Sequence, residues 1–88
     1  MYIIITYDVN VSRVNEVKKF LRKYLTWIQN SVFEGEVSKA TLEEIKGGIK
    51  DIINKEEDMV VIYRVRDKKL VKKEIFGVEK GLIDTTII

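Results

Sequence analysis

The chain has 88 residues and a formal net charge of +2, with no cysteine, histidine or proline. That length suits one domain over residues 1–88 and not two, and so small a domain buries too little surface to be stable by a wide margin. Without cysteine or histidine, a disulfide framework and the usual zinc sites are excluded, which leaves subunit association as the compensation and a hard cation such as magnesium as the metal that oxygen ligands can hold.

The small net charge hides an uneven distribution. Residues 1–30 balance to +3 through Arg13, Lys18, Lys19, Arg22 and Lys23, residues 31–60 to −4, and residues 61–88 to +3. The two basic segments, placed side by side, would offer a surface for phosphates; kept apart, they are ordinary solvated faces. The start of the chain lacks a basic leader, and no apolar run approaches the roughly 20 residues of a membrane helix. A cytoplasmic setting with no membrane is expected.

Met1 to Tyr7 is β-branched and aromatic without alternation, as in a central strand covered on both faces. The strand should stop at Asp8-Val9-Asn10. Ser12 is the expected cap of a helix whose apolar positions Val14, Val17, Phe20, Leu21 and Tyr24 follow the helical period. Its other face carries Arg13, Lys18, Lys19, Arg22 and Lys23. Trp27 to Val37 reads as extended, either one bent strand or two short ones, with Gly35 marking a bulge or turn.

Thr41-Leu-Glu-Glu44 reads as a capping box opening a second helix that buries Leu42, Ile45, Ile49, Ile52 and Ile53. Gly47-Gly48 within it costs roughly 2 kcal/mol of helix propensity against alanine. The pair implies either close packing against a neighbour or a loosened helix. After an acidic loop at Glu56-Glu-Asp58, Met59 to Tyr63 is a second strand suited to the sheet centre. Arg66-Asp-Lys-Lys69 makes a turn, Leu70 to Phe76 an edge strand, and Leu82 to Ile88 another short strand.

The resulting order, β-α-β(β)-α-β-β with helices apolar on one side only, is an α+β sheet covered on a single face: a ferredoxin-like βαββαβ sandwich with additional carboxy-terminal strands. Its uncovered face would expose apolar side chains, so a second copy is expected against it.

Asp8 is the most informative acid, because it ends a buried strand directly after Tyr7. One carboxylate holds magnesium poorly, but near a twofold axis the residue appears twice, and the pair could share one ion. The alternative is a strand-end turn former. Ser31 is a candidate for positioning a phosphate and Phe33 for stacking on a base, although its bulk equally suits the core. With no histidine base, Ser/His/Asp constellation or glycine-rich phosphate loop, acid–base chemistry falls to a carboxylate, a metal-bound water or Tyr7.

Three stretches then act together: Tyr7-Asp8-Val9 after the first strand, Gln29-Asn-Ser-Val-Phe-Glu-Gly35 after the first helix, and Asp58-Met-Val-Val-Ile-Tyr63 after the second. In this order and spacing the chain resembles the CRISPR-associated Cas-two family, the small partner of the spacer integrase. The resemblance implies a ferredoxin-like homodimer in which each carboxy-terminal strand extends the other subunit's sheet. It also implies a role in the spacer-acquisition stage of antiviral defence, and magnesium-dependent endonuclease activity on single-stranded RNA or double-stranded DNA. The family's metal-site aspartate corresponds to Asp8, and its motif serine and phenylalanine to Ser31 and Phe33. Trp27 stands where some members carry an arginine, and the arginines that often open the first helix are reduced to Arg13. A basic surface from Arg13, Lys18, Lys19, Arg22, Lys72 and Lys73 could hold nucleic acid with or without cutting it. A non-catalytic DNA-binding scaffold for the integrase, a messenger-RNA nuclease toxin of the VapD type and a ferredoxin-like assembly domain are the alternatives.

Overall fold

The computed structural model describes residues 1–80. Strand β1 (Tyr2–Asp8) leads into helix α1 (Val11–Arg22), the hairpin β2 (Thr26–Gln29) and β3 (Val32–Glu36), helix α2 (Lys39–Ile52) and strand β4 (Met59–Val65). The four strands form one sheet in the order β2-β3-β1-β4, with every neighbouring pair antiparallel. This is a mixed α+β domain in which both helices lie on one face of an antiparallel sheet.

The alternation along β1 sets both faces. Ile3, Ile5 and Tyr7 are buried with Val17 and Leu21 of α1 and Leu42, Ile45 and Ile49 of α2. Each such aliphatic side chain contributes about 1.5–3 kcal/mol on burial. Ile4, Thr6 and Asp8 therefore project to the opposite, open face. Cross-strand register carries the same division outwards: Phe33 opposes Ile5, while Val61 opposes Thr6, Tyr63 opposes Ile4 and Met59 opposes Asp8.

Several expectations shift. The region from Trp27 to Val37 is two strands, and the irregularity falls between Trp27 and Gln29, not at Gly35. Gly35 pairs with Ile3 inside β3, where an added Cβ would lie 3.0 Å from a methyl of Leu25. Asn10, not Ser12, caps α1, accepting from the backbone N–H and hydroxyl of Ser12 at 2.9 and 2.8 Å. Helix α2 starts at Lys39 under Ser38, whose hydroxyl accepts from the Thr41 N–H at 3.1 Å. The capping motif thus sits three residues before the expected box, at the first residue whose extended backbone can turn its side chain onto the helix.

Among the described residues β4 lies at the sheet edge, with Met59 and Tyr63 63% and 57% exposed. Its unbroken apolar run matched two-sided burial, but the helices cover only one side. Leu70 to Phe76 does not form a strand. The Asp67 carboxylate accepts from the Lys69 N–H at 3.0 Å and starts a short 3₁₀ turn, Lys68–Leu70, and residues 71–80 then cross towards the open face. The strand expected over Leu82 to Ile88 lies outside the described residues.

One carboxylate ties the chain together where three segments meet. The side chain of Asp58, fully buried, accepts from the Asn10 N–H and the Asn54 N–H at 2.9 Å each, and from Arg13 Nε at 2.6 Å and Nη2 at 3.1 Å. Arg13 also pairs with Glu57. Asp58 thereby joins the end of α2, the entry to β4 and the first turn of α1. The Arg13 fork, with the two backbone donors, holds the Asp58 carboxyl far below the usual carboxylate range.

The two adjacent glycines of α2 differ in surroundings. A Cβ on Gly47 meets nothing within 4 Å, whereas one on Gly48 would collide with the Phe20 ring. Of the two readings of this pair, close helix packing holds at Gly48. Urea unfolding should show Gly47→Ala stabilising the fold by about 0.5–1 kcal/mol through helix propensity. Gly48→Ala should cost about 1–3 kcal/mol, because the ring must leave its place. Equal effects at the two positions would contradict this packing. The Asp58 anchor carries a pH signature. Its folded pKa is depressed, so its contribution is complete above the ordinary carboxylate value of about 4 and fades as pH falls through and below it. Asp58→Asn should therefore lower Tm at pH 7, and the gap to the unsubstituted protein should narrow steadily from pH 4 to pH 2.

Candidate functional site

The sequence candidates converge on one end of the sheet, where β1 stops, the β2–β3 hairpin turns and β4 begins. Asp8 is the last residue of β1 and its carboxylate is exposed on the open face, opposite Met59. It makes no hydrogen bond or ion pair among the described residues, which leaves both oxygens available. The adjacent turn is held against β1 by the Tyr7 N–H, which donates to the Ser31 carbonyl at 3.1 Å. Asn30 adopts φ +37°, a left-handed conformation that asparagine tolerates, and its carbonyl accepts from the Trp27 indole N–H at 3.0 Å. Half-buried Ser31 is thereby fixed beside the residue preceding Asp8.

Tyr7 and Phe33 form the wall behind this corner. Their rings stack at 6.2 Å and 25°, with Phe33 wholly inaccessible and Tyr7 nearly so. Successive side chains of a strand point to opposite faces, so Tyr7 projects to the helices and Asp8 to the open face. The Tyr7 hydroxyl is buried with no hydrogen-bond partner among the described residues. Burial pushes its phenol above the ordinary tyrosine value, offset in part by the charge of Arg22. Phe33, enclosed in the core, offers no face on which a base could stack, and Tyr7 does not share a face with the Asp8 carboxylate.

The basic candidates separate into different settings. Arg13 is committed to Asp58 and Glu57. Lys18 lies 4.6 Å from the centre of the Trp27 ring and Arg22 5.9 Å from it, both within cation–π range on the helix side of the sheet. Lys19 is exposed on the same helix. Lys73 lies on the other face, donating to Glu34 at 2.5 Å, and its neighbour Lys72 is exposed. Lys18, Lys19 and Arg22 on α1 and Lys72 and Lys73 of the crossing segment therefore lie on different sides of the sheet. Charge sums along the sequence carry no information about which side of the sheet each of these cations takes.

Three features had little sequence signal. Asp58 read as one acid of an acidic loop at the head of the third motif stretch, and its side chain is the buried anchor. Glu34, on the open-face register, is a buried carboxylate that accepts from Lys73. Burial foremost, then the charge and hydrogen bond of Glu34, pushes the Tyr2 phenol up to about 12. Trp27 gathers two cations, a contact for which the i, i+4 spacing of Lys18 and Arg22 was the available hint. The open face also carries a groove of about 480 Å³ between Ile4, Ile28 and Val32 of the sheet and Val71, Ile75 and Val78 of the crossing segment.

The donor set can be tested against a metal on chemistry alone. Among the described residues, no three acidic side chains cluster to ligate an ion. Asp8 supplies one uncommitted hard-oxygen ligand, in keeping with magnesium, whereas Asp58 is consumed by its four donors. The residue type fits a hard cation, and a single carboxylate is too few ligands to hold one firmly.

Comparison with known proteins was consistent along the chain. The family model for CRISPR associated protein Cas2 matches residues 1–73. A CRISPR-associated endoribonuclease Cas2 of Archaeoglobus fulgidus is 63% identical over 82 residues, covering 93% of this chain and 89% of that protein. One of the same description from Methanocaldococcus jannaschii is 60% identical over 87 residues, covering 99% and 76%. A crystal structure of Cas2 superimposes with a TM-score of 0.83 at 50% identity, covering 91% of this chain and 90% of the other. The match begins ahead of Asp8, takes in the hairpin that carries Ser31 and Phe33, and continues through β4 to Lys73: the chain belongs to the CRISPR-associated protein Cas2 family.

Proposed function

We propose that the protein is a cytoplasmic, magnesium-dependent endonuclease that works as a ferredoxin-like homodimer in the spacer-acquisition stage of CRISPR defence, beside the spacer integrase. The observation that carries this reading is Asp8: an exposed, uncommitted carboxylate at a strand end, on a sheet face whose neighbouring side chains are apolar. The names of the Archaeoglobus and Methanocaldococcus relatives support nuclease chemistry, with RNA as the first substrate to test and double-stranded DNA as the second.

The open face supplies the reason for a dimer. Ile4, Val61, Met59 and Tyr63 lie on it by register, and the last two are well exposed. Pairing two such faces about a twofold axis removes this apolar surface from water and doubles every residue near the axis. Asp8 from each copy would then hold one divalent cation. Such an ion supplies Lewis-acid polarisation of a phosphate oxygen and a water of lowered pKa. The chain's own part is to orient: Asp8 fixes the cation, the Ser31 hydroxyl steadies a phosphate oxygen, and the Tyr7–Phe33 stack keeps the corner rigid and dry from behind.

A second reading is favoured by the state of the other candidates. Arg13 and Lys73 are engaged in ion pairs and Phe33 is enclosed, which leaves a sparse catalytic set. On this reading the dimer binds nucleic acid through its backbone and serves the integrase as a scaffold without cutting. Lys18, Lys19, Arg22 and Lys72 are the cations for that work.

Cleavage of labelled RNA and duplex DNA separates the two. Asp8→Asn should lower magnesium-dependent cleavage by at least about 100-fold with the dimer intact, because several kcal/mol of charge stabilisation are lost with the ligand. Undiminished cleavage by this variant would remove Asp8 from the mechanism. Under the scaffold reading, Lys18→Glu with Lys19→Glu should weaken duplex binding and reduce the salt slope by about 0.9 for each phosphate no longer neutralised. An unchanged slope would place the nucleic acid elsewhere.

A further inference from the structure

The Asp8 carboxylate is useful only if the chain delivers it at a fixed angle, since a shared ion requires two copies to agree in geometry. Nothing near the Asp8 side chain itself imposes that angle among the described residues. The backbone on either side of it does. Asp8 is the last β1 residue in register with β4, facing Met59. Two residues later the chain is fastened again, where the Asn10 N–H donates to Asp58 at 2.9 Å. Both fastenings come from one dipeptide, Asp58-Met59.

Asp58 is in turn immobilised from two further directions. The Asn54 N–H holds it from the end of α2, and the Arg13 fork holds it from the first turn of α1. Asn10 is also the cap of α1, so the same residue that accepts from Ser12 presents its N–H to Asp58. The segment 8–10 therefore passes between two supports and has little freedom to swing.

We infer that Asp58, locked by Arg13, is the positioning residue for Asp8, and that Arg13 serves this latch and does not contact phosphate. This inference rests on the reading of Asp8 as the metal ligand. A planar guanidinium gripping both carboxylate oxygens defines direction as well as distance, which a lysine at position 13 would not reproduce. Partners that orient a metal ligand typically change metal affinity by about 10–100-fold when removed. A phosphate contact has a different signature: its loss weakens nucleic-acid binding and its salt dependence and leaves the metal alone.

The test uses the full-chain dimer and manganese(II) as a spectroscopic probe of the cation site, titrated by electron paramagnetic resonance without nucleic acid. Asp8→Asn, Arg13→Gln, Arg13→Lys and Asp58→Asn are compared, each first confirmed folded by circular dichroism and dimeric by sedimentation. Metal-free duplex binding is measured in parallel. The inference predicts that Asp8→Asn abolishes saturable binding. Arg13→Gln should weaken it by about 10-fold or more, with duplex affinity unchanged within about 2-fold. Arg13→Lys should recover only part of the loss. If Asp58→Asn fails to fold, the Arg13 variants, which leave both backbone donors to Asp58 in place, carry the test. Wild-type manganese affinity in the Arg13 variants while Asp8→Asn loses it would overturn the latch and spare the metal site. Wild-type affinity in Asp8→Asn would overturn the metal reading and the latch with it. Loss of duplex affinity alone in Arg13→Gln would make Arg13 a phosphate contact.

Discussion

The two-residue alternation of β1 is the constraint from which the rest of the molecule follows. Ile3, Ile5 and Tyr7 must face the helices, because Val17, Leu21, Leu42, Ile45 and Ile49 leave no other apolar surface of comparable size. Once that is fixed, Ile4, Thr6 and Asp8 are committed to the other face. A slip of one residue would bury the Asp8 carboxylate beneath α1 and expose Tyr7, reversing the whole strand at once. The packing that stabilises the fold is thus also what presents the acid.

Charge is divided by the same sheet. Most of the chain's basic residues look interchangeable in the sequence, yet their environments differ sharply. Arg13 is spent on Asp58, Lys73 on Glu34, and Lys18 and Arg22 lie over Trp27. An arginine forked onto a buried carboxylate exchanges water for fixed donors and acceptors, and removing either member strands the other. Exposed Lys19 and Lys72 lie in segments on opposite sides of the sheet.

How much of this was legible in the sequence depends on the kind of signal. The β1 strand, both helices and the apolar stripes of α1 and α2 were readable because periodicity reports burial directly. Strand β4 reads as a central strand and lies at the sheet edge among the described residues. Its apolar run signalled two-sided burial, which the described residues give only by half, and the same residues mark the uncovered face. The helix caps were each missed by two or three residues, since Asn10, Ser12, Ser38 and Thr41 are all competent caps and backbone geometry chooses among them. Asp8 and Ser31 could be singled out and do share one corner. Asp58 opens the third motif stretch, but an acid in an acidic loop gives no sign that four donors from three residues converge on it.

The central claim is that symmetry brings two strand-terminal carboxylates to one cation. The most direct measurement is a crystal structure of the dimer grown with manganese(II), using anomalous scattering to place the ion. The account predicts a peak on the twofold axis about 2.0–2.4 Å from an Asp8 oxygen of each copy. A dimer whose Asp8 carboxylates diverge from the axis, with manganese bound elsewhere or not at all, would contradict it.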